Sequence, residues 1–438
     1  MKFFRLSPNR LVVLGFVAAI LIGTVLLKLP AAAPGGVSWL DALFEATSAV
    51  TVTGLQVVDP PKDFTVFGQA VLAVLIQVGG LGIVTAATLG VVLIGGSPSY
   101  RELVAADEEE NLPGGPVNLR RLLVRIALFT LVIELAGALV LAGRLVSLGW
   151  DLPGALGHAG FHAVSAFCNA GFTTFSGGIS RFDGDVVVNV LFVALILLGG
   201  LGFPVLVSLY RYPKLRRLTL HAKLVLATYA VLVPLGVLGF AALEWTNPRT
   251  LGGEPLLTKA LESLFQGVTP RTAGFSTVGY SDLSEPTLVM QIPLMFVGAA
   301  PASTGGGVKV TALALVFLLV VSQARGGGHL TAFGRRVPDH FLRKTLALVS
   351  VAALLVVSGA LALMISEGWG FLPALFHSTS ALGTVGLSVR SSAELGAFGK
   401  LLLIFLMFVG RLGPITFLVA LSSRSHSDTY PPGSIAVG

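Results

Sequence analysis

The sequence predicts an all-α integral membrane protein. It comprises four helix–pore-loop–helix repeats, about eight spanning helices plus four short pore helices, around a central ion pathway. Three observations carry this: the composition, the apolar runs, and a glycine turn that recurs with a fixed period. Of 438 residues, 54% are hydrophobic and only 12% charged, and mean hydropathy is +0.86. Soluble chains are about 25% charged, so too little polar surface remains to cover a water-soluble body of this size. The 53 glycines suit close helix packing in lipid and re-entrant backbone. Cys168 is the only cysteine, which excludes an intrachain disulfide.

Several apolar runs exceed the roughly 18 residues that mark a spanning helix. They are Leu11–Leu29, Val66–Leu93, Leu122–Leu145, Val186–Leu209, Leu224–Leu243, Leu288–Val321, Leu346–Ile365 and Leu401–Leu421. An even number of spans puts both termini on one side. Lys2, Arg5 and Arg10, then Arg101, Arg120, Arg121 and Arg125, then Arg211, Lys214, Arg216, Arg217 and Lys223 fall between alternate pairs of runs. Arg325, Arg335, Arg336, Arg343, Lys344 and Arg424 continue the series. The positive-inside rule therefore places both termini in the cytoplasm and reads the net charge of +7 as a topology signal rather than a nucleic-acid surface. Met1–Ala33 imitates a signal peptide, but its apolar stretch is longer than the usual 7–15 residues. It is expected to remain as the first helix of the first repeat.

Each outward connection holds an amphipathic stretch too short to span, ending in a turn of small residues. The turns run Phe44–Leu55, Phe161–Phe172, Leu264–Phe275 and Phe376–Leu387, and their glycines, Gly54, Gly171, Gly274 and Gly386, recur about every 110 residues. A fixed period dictates architecture: the repeats are expected at residues 1–100, 101–215, 216–325 and 326–438, the last with the C-terminal tail.

Irregular backbone at membrane depth survives only where protein encloses it or where it lines a wet cavity. Four such turns meeting on one axis would let carbonyl oxygens replace the water shell of a cation, and glycine permits the positive φ this requires. The candidate oxygens belong to Val52, Thr53 and Gly54; Asn169, Ala170 and Gly171; Thr272, Ala273 and Gly274; and Thr384, Val385 and Gly386. None is acidic, which favours a monovalent cation over a divalent one.

The second helix of each repeat carries a further mark: Val78–Gly82, Leu198–Gly202, Val297–Pro301 and Val409–Gly413. Aligned, Gly80, Gly200 and Ala299 stand opposite Arg411. An intramembrane guanidinium is a functional hypothesis by default, and below a cation filter it would repel the permeating ion. The third repeat is interrupted by Gly298–Lys309, whose glycines and Pro301 cannot continue a regular helix. Ala302, Ser303, Thr304, Gly305, Gly306, Gly307 and Lys309 are expected to form, with Arg411, an intramembrane gate. Against it stands a proline kink with Arg411 paired locally.

On these residues the chain resembles the Ktr/Trk/HKT superfamily of potassium transporters, over nearly its whole length. The likeness rests on Ser48–Leu55, Ser165–Phe172, Arg271–Phe275 and Phe408–Pro414. A first filter near residue 50 leaves no room for extra N-terminal helices, which favours the KtrB branch. The resemblance implies potassium as the translocated ion, a homodimer with one pore per subunit, a gating ring of the KtrA type that binds ATP, ADP or NAD, and an effect of sodium on uptake. It also implies residence in a bacterial inner membrane and the same gate. Ala299-Ala300-Pro301 departs from the family's glycine- and serine-rich loop opening. No cofactor is expected beyond the transported potassium and sodium as an activator.

Other residues say less. Glu134 sits mid-helix, as a proton relay or as a buried hydrogen-bonded carboxyl; Gln77 and Gln291 suit interhelical hydrogen bonds. His158, His162 and His377 lack metal-ligand spacing, and Asp107–Glu110 is an acidic loop within reach of a regulatory ring. Gly80-Leu-Gly82 and Gly305–Lys309 lack the order of nucleotide-binding motifs. The alternative function is a proton- or sodium-coupled secondary transporter of another small cation or solute, which would call for inverted repeats. An intramembrane enzyme would need a nucleophile–base pair or a metal cluster, and the sequence offers neither.

Overall fold

The computed structural model describes residues 8–82, 116–326 and 330–414. Lys2, Arg5, Arg101, Asp107–Glu110, Arg424 and the ends of two expected runs, residues 83–93 and 415–421, lie outside the described residues.

One local succession occurs four times: a long helix, a short helix, a turn, and a second, shorter helix. The first set is α1 (Pro8–Lys28), α2 (Trp39–Val50) and α3 (Val66–Leu81). The second is α4 (Pro116–Ser147), α5 (Leu152–Phe167), α6 (Val186–Leu201) and α7 (Phe203–Leu215). α8 (Leu220–Glu244), α9 (Leu256–Val268), α10 (Glu285–Phe296) and α11 (Val310–Ala324) follow. The last is α12 (Asp339–Glu367), α13 (Phe371–Gly383) and α14 (Ala397–Leu412), preceded by a small hairpin at Thr331–Ala332 and Arg335–Arg336.

The first helix of each set is a full membrane span. Arg10–Lys28, Val124–Ser147, Leu220–Glu244 and Asp339–Glu367 are each long and apolar enough to cross a bilayer. Their outer faces invert the soluble pattern: Ile22, Leu128, Leu131, Val231, Leu238, Leu354 and Ile365 are all more than half exposed. α1 packs on both α2 and α3.

The second helices differ from the eight unbroken spans that the apolar runs predict. Among the described residues, four helices pass the test for a span, or five if α6 and α7 count as one bent span. α3, α6 and α14 stop at Gly82, Gly202 and Gly413, where φ is +84°, +82° and +84°. No L-residue adopts that backbone cheaply, so each helix ends at the glycine although the apolar run continues. α10 stops at Phe296 and α11 resumes at Val310, as the glycines and Pro301 of the third run require.

Small residues bring the long helices close to the short ones. A methyl group built on Gly23 of α1 meets Ala46 Cβ of α2 at 3.3 Å, and one on Gly236 of α8 meets Gly267 Cα of α9 at 3.2 Å. One on Gly359 of α12 meets Ser378 Oγ of α13 at 2.5 Å. Backbone approach of this kind is how helices gain dispersion contact where lipid removes the hydrophobic drive. Gly236→Val is therefore expected to lower the unfolding free energy of the detergent-solubilised chain by about 1–3 kcal/mol through overpacking. Gly143→Ala, in a helix interior where nothing lies within 4 Å, is expected to keep or slightly raise the thermal midpoint.

Candidate functional site: the glycine turns and the loop beside them

The short helices present their C-terminal ends to one another. The caps differ in origin: Ser38 and Asp151 each accept a hydrogen bond from the third residue beyond, Asp41 and Gly154, which fixes the start of α2 and α5. Lys400 of α14 also pairs with Asp41 at 2.7 Å, tying the last helix to the first short one. Burial opposes the Asp41 charge, but hydrogen bonds from Lys400 and Ser38 and the lysine's charge outweigh it, holding the carboxyl below its ordinary value.

At their far ends the short helices stop in matching turns. The amide of Thr53 donates to Ser48 O at 2.8 Å, that of Ala170 to Ser165 O at 2.7 Å and that of Val385 to Ser380 O at 2.8 Å. This six-to-one closure is the Schellman ending of a helix. A left-handed residue stands two places before each glycine, in the third set without that closure: Val52, Asn169, Thr272 and Thr384, at φ +56°, +60°, +66° and +50°. Gly54, Gly171, Gly274 and Gly386 are left-handed as well. A β-branched residue in that region costs on the order of 1–3 kcal/mol and persists only where surroundings enforce it. The enforcing contacts include hydroxyls: Ser48 Oγ accepts from Gly54 N at 3.0 Å, Ser380 Oγ from Gly386 N at 3.1 Å, and Ser165 Oγ donates to Phe172 O at 2.7 Å.

The four glycines close a ring in chain order. A methyl built on Gly54 would lie 3.1 Å from Gly171 Cα, one on Gly171 2.9 Å from Gly274 Cα, one on Gly274 3.4 Å from Gly386 Cα, and one on Gly386 3.0 Å from Gly54 Cα. The carbonyl oxygens of Ala170, Ala273, Val385 and Thr53 stand against the neighbouring glycine at each step. Val52, Thr53, Asn169, Ala170, Thr272, Ala273, Thr384 and Val385 are completely buried. A cavity of about 230 Å³ opens on the ring, lined by all four glycines with Gln56, Thr173, Ser276, Ser388 and other neutral residues. The twelve residues named from the sequence as filter candidates are thus brought together.

The residues expected at the gate converge on the other side of the turns. Gly79, Gly199 and Gly410 abut the carbonyls of Val50, Phe167 and Leu382, in each case the residue four places before the ring glycine. Gly298 meets Gly306 O instead, because the third set folds residues 297–309 into a loop. In that loop Thr304 Oγ1 donates to Phe167 O at 3.0 Å, and Thr384 Oγ1 accepts from Gly306 N at 3.0 Å. Gly305 faces Thr272 Oγ1, Gly307 approaches Gly383 O, and Ser303 Oγ donates to Ala300 O at 2.5 Å. Lys309 folds back to donate to Gly305 O at 2.7 Å, and Ala302 O accepts from Phe203 N at 2.9 Å. Arg411 donates through Nη1 to Thr304 O and through Nη2 to Gly79 O. The loop thus touches its own turn and those of the second and fourth sets, and the guanidinium bridges it to α3.

Glu134 is 5% exposed and takes a long hydrogen bond from Cys168 Sγ at 3.7 Å, with Gln77 Oε1 4.0 Å from the same sulfur. Sequence reasoning missed a second layer. Glu45 Oε1 accepts from the amides of Val57 and Val58 at 2.7 and 3.2 Å, and His162 Nε2 accepts from Thr174 N at 3.3 Å. Gln266 Nε2 donates to Ser276 Oγ and Thr277 Oγ1 at 2.9 and 3.1 Å, and His377 Nε2 reaches Arg390 O at 2.9 Å. Each short helix thus sends one polar side chain to the strand of backbone leaving its own turn. The available signal was a lone polar residue nine places before the glycine in three sets and eight in the third.

The sequence model of the TrkH family, described as a cation transport protein, matches residues 10–430. The chain belongs to that family. Among its relatives is the Ktr system potassium uptake protein B of Bacillus subtilis, 40% identical over all of this chain and 98% of the relative. The protein of the same name from Vibrio alginolyticus is 36% identical, covering 98% and 94% of the two chains. The Trk system potassium uptake protein TrkH of Vibrio parahaemolyticus is 26% identical over 93% and 85%. Similarity to the B-type proteins is thus the stronger. The crystal structure of the TrkH potassium transporter from Vibrio parahaemolyticus shares the fold, with a TM-score of 0.78 at 22% identity over 96% of this chain and 86% of that one.

The carboxylate tie gives a test of the second layer. Glu45→Ala leaves the buried Val57 amide without an acceptor and is expected to cost about 1–3 kcal/mol. Glu45→Gln keeps an acceptor oxygen in place and is expected to melt close to the parent in a thermal unfolding series.

Proposed function

We propose that the chain is the membrane-embedded, potassium-translocating subunit of a bacterial potassium uptake system. The observation that carries this is the closed ring of Gly54, Gly171, Gly274 and Gly386 beneath an outer cavity lined by neutral residues. The four local successions are then repeats around one ion path, with boundaries near residues 100, 215 and 325. The backbone oxygens of the twelve ring residues replace the water of a monovalent cation. The four short helices add to this, since each C-terminal end carries roughly half a negative charge. All four face the ring, so a cation is favoured there without any carboxylate.

Arg411 and the 297–309 loop act as the gate. A second positive charge about 4 Å from the ion's path opposes it by about 4 kcal/mol at an effective dielectric near 20. The two carbonyl acceptors, Thr304 O and Gly79 O, hold the guanidinium in the closed arrangement, so opening requires the loop and Arg411 to part. Further subunits complete the assembly: a homodimer of this chain, with a KtrA-type nucleotide-binding ring acting on the loop from the cytoplasmic side. Sodium stimulates uptake, and both termini face the cytoplasm of a bacterial inner membrane.

Growth of cells lacking their own potassium uptake systems tests both parts. The parent chain is expected to restore growth in limiting potassium, and Gly54→Ser to abolish it, since the added side chain enters the Ala170 carbonyl at a left-handed position. Arg411→Ala, or a shortened 297–309 loop, is expected to raise rubidium or potassium flux several-fold. Unchanged flux in both variants removes the gate; a growth-restoring Gly54→Ser removes the filter.

A further inference from the structure

The bend at Gly202 creates a surface for which the ion path has no use. α6 starts near the outer cavity, which Gly178 and Ile179 line, and its 16 residues carry the chain about 24 Å away from it. There the axis turns by 99° into α7. A helix at right angles to a near-spanning one lies along the plane of the bilayer, at the face opposite the cavity.

α7 divides into two halves. Phe203, Val205 and Leu206 are buried, and Val205 packs in one cluster with Ala222 and Val225 of α8. Ser208 Oγ accepts from Thr219 N at 3.3 Å, which anchors the midpoint. From residue 209 to 217 every side chain is exposed, Tyr210 at 80%. This stretch reads Leu-Tyr-Arg-Tyr-Pro-Lys-Leu-Arg-Arg and carries Arg211, Lys214, Arg216 and Arg217 with no acid. Among the described ion pairs none includes these four.

We propose that residues 209–217 form a docking surface for the phosphate headgroups of anionic membrane lipid. Interleaved tyrosine, leucine and cation suits an interface: the rings and aliphatic groups sit at the acyl boundary while the long basic side chains reach outward to phosphate. Each basic residue near an anionic surface adds to the attraction, and four within seven positions place them on one headgroup cluster. Charge complementarity together with the in-plane orientation selects lipid over a soluble acidic partner.

The surface is connected to the loop. Phe203 N donates to Ala302 O at 2.9 Å, and a methyl on Gly202 would lie 2.6 Å from Pro301 O. The first residues of α7 therefore rest on the 297–309 loop, and lipid held at 209–217 steadies that loop. This consequence rests on the loop's proposed role as gate; the docking itself does not.

The test uses the full chain purified with a mixture of phosphatidylglycerol and phosphatidylcholine, with retained lipid read by native mass spectrometry. R211Q/K214Q/R216Q/R217Q is expected to lose about tenfold or more of the retained phosphatidylglycerol relative to phosphatidylcholine. R211K/R216K/R217K, which keeps the charge, and R249Q, a distant exposed change, are expected to retain it. Phosphatidylglycerol kept at the parent level by the quadruple variant overturns the proposal. So does equal loss of both lipids, or a quadruple variant that keeps lipid and loses a cytosolic protein partner instead. Potassium flux in vesicles with and without phosphatidylglycerol separates the two claims. A dependence on the anionic lipid that the quadruple variant lacks supports the link to the loop, and flux indifferent to lipid in the parent removes that link while leaving docking to the mass measurement.

Discussion

Backbone that is neither helix nor sheet must have its polar groups satisfied inside a membrane, and everything distinctive about this chain follows from how the four turns meet that demand. An orphaned amide or carbonyl in a low-dielectric interior costs several kcal/mol. The turns recover part of it from their own helices, through the six-to-one closures at Thr53, Ala170 and Val385 and the serine hydroxyls six places before each of those three glycines. The oxygens left over stand against the neighbouring turn, so no turn is complete without the other three. That mutual dependence is why left-handed Val52 and Thr384 are tolerated: the closed ring, rather than local preference, holds them.

The third set departs from the other three in the same region, and the departures belong together. Its hydroxyl is Thr269, one place later than Ser48, Ser165 and Ser380, and the Ala273 amide closes to Thr269 O at 3.0 Å by a shorter step. Its second helix lacks the glycine packed on a short-helix carbonyl, and Gly298 instead meets the loop that interrupts it. Arg271 is almost fully buried and donates to Leu294 O, satisfying a carbonyl near the end of α10 that the missing next turn cannot. A buried guanidinium is a large desolvation cost, and here it supports the place where regular structure stops before the loop. The third set thus gives up helical regularity, and the freed loop reaches its own turn and those of the second and fourth sets.

Most of the fold was legible because membrane helices announce themselves by length and apolarity, and because the turn has a composition that repeats. The period of about 110 residues located all four glycines, and their meeting follows from the impossibility of leaving four such turns apart in lipid. What stayed hidden was conformational rather than compositional. Gly82 and Gly202 fall inside apolar runs that read as single spans, since apolarity persists beyond them; only φ near +83° reveals that the helix ends there. The left-handed Val52 was equally invisible, because valine gives no sign of a conformation that its own side chain opposes. His162 and His377 were noticed as scattered residues, but a tie to the outgoing backbone is a three-dimensional relation with no spacing motif of its own.

The break at Gly202 also changes what the basic loops mean. Counted as sequence, Arg211, Lys214, Arg216 and Arg217 only orient the chain. Once the axis turns by 99°, the same charges fall in one exposed stretch with tyrosine and leucine, on a helix whose first residues meet the loop that Arg411 touches. Topology signals and lipid contacts draw on the same electrostatics, so a residue set retained for insertion is already placed to sense the membrane afterwards. The direct contact of Phe203 with Ala302 converts that placement into leverage. A lateral shift of α7 cannot occur without disturbing the hydrogen bonds of the loop, and the loop in turn cannot move without altering what Arg411 holds.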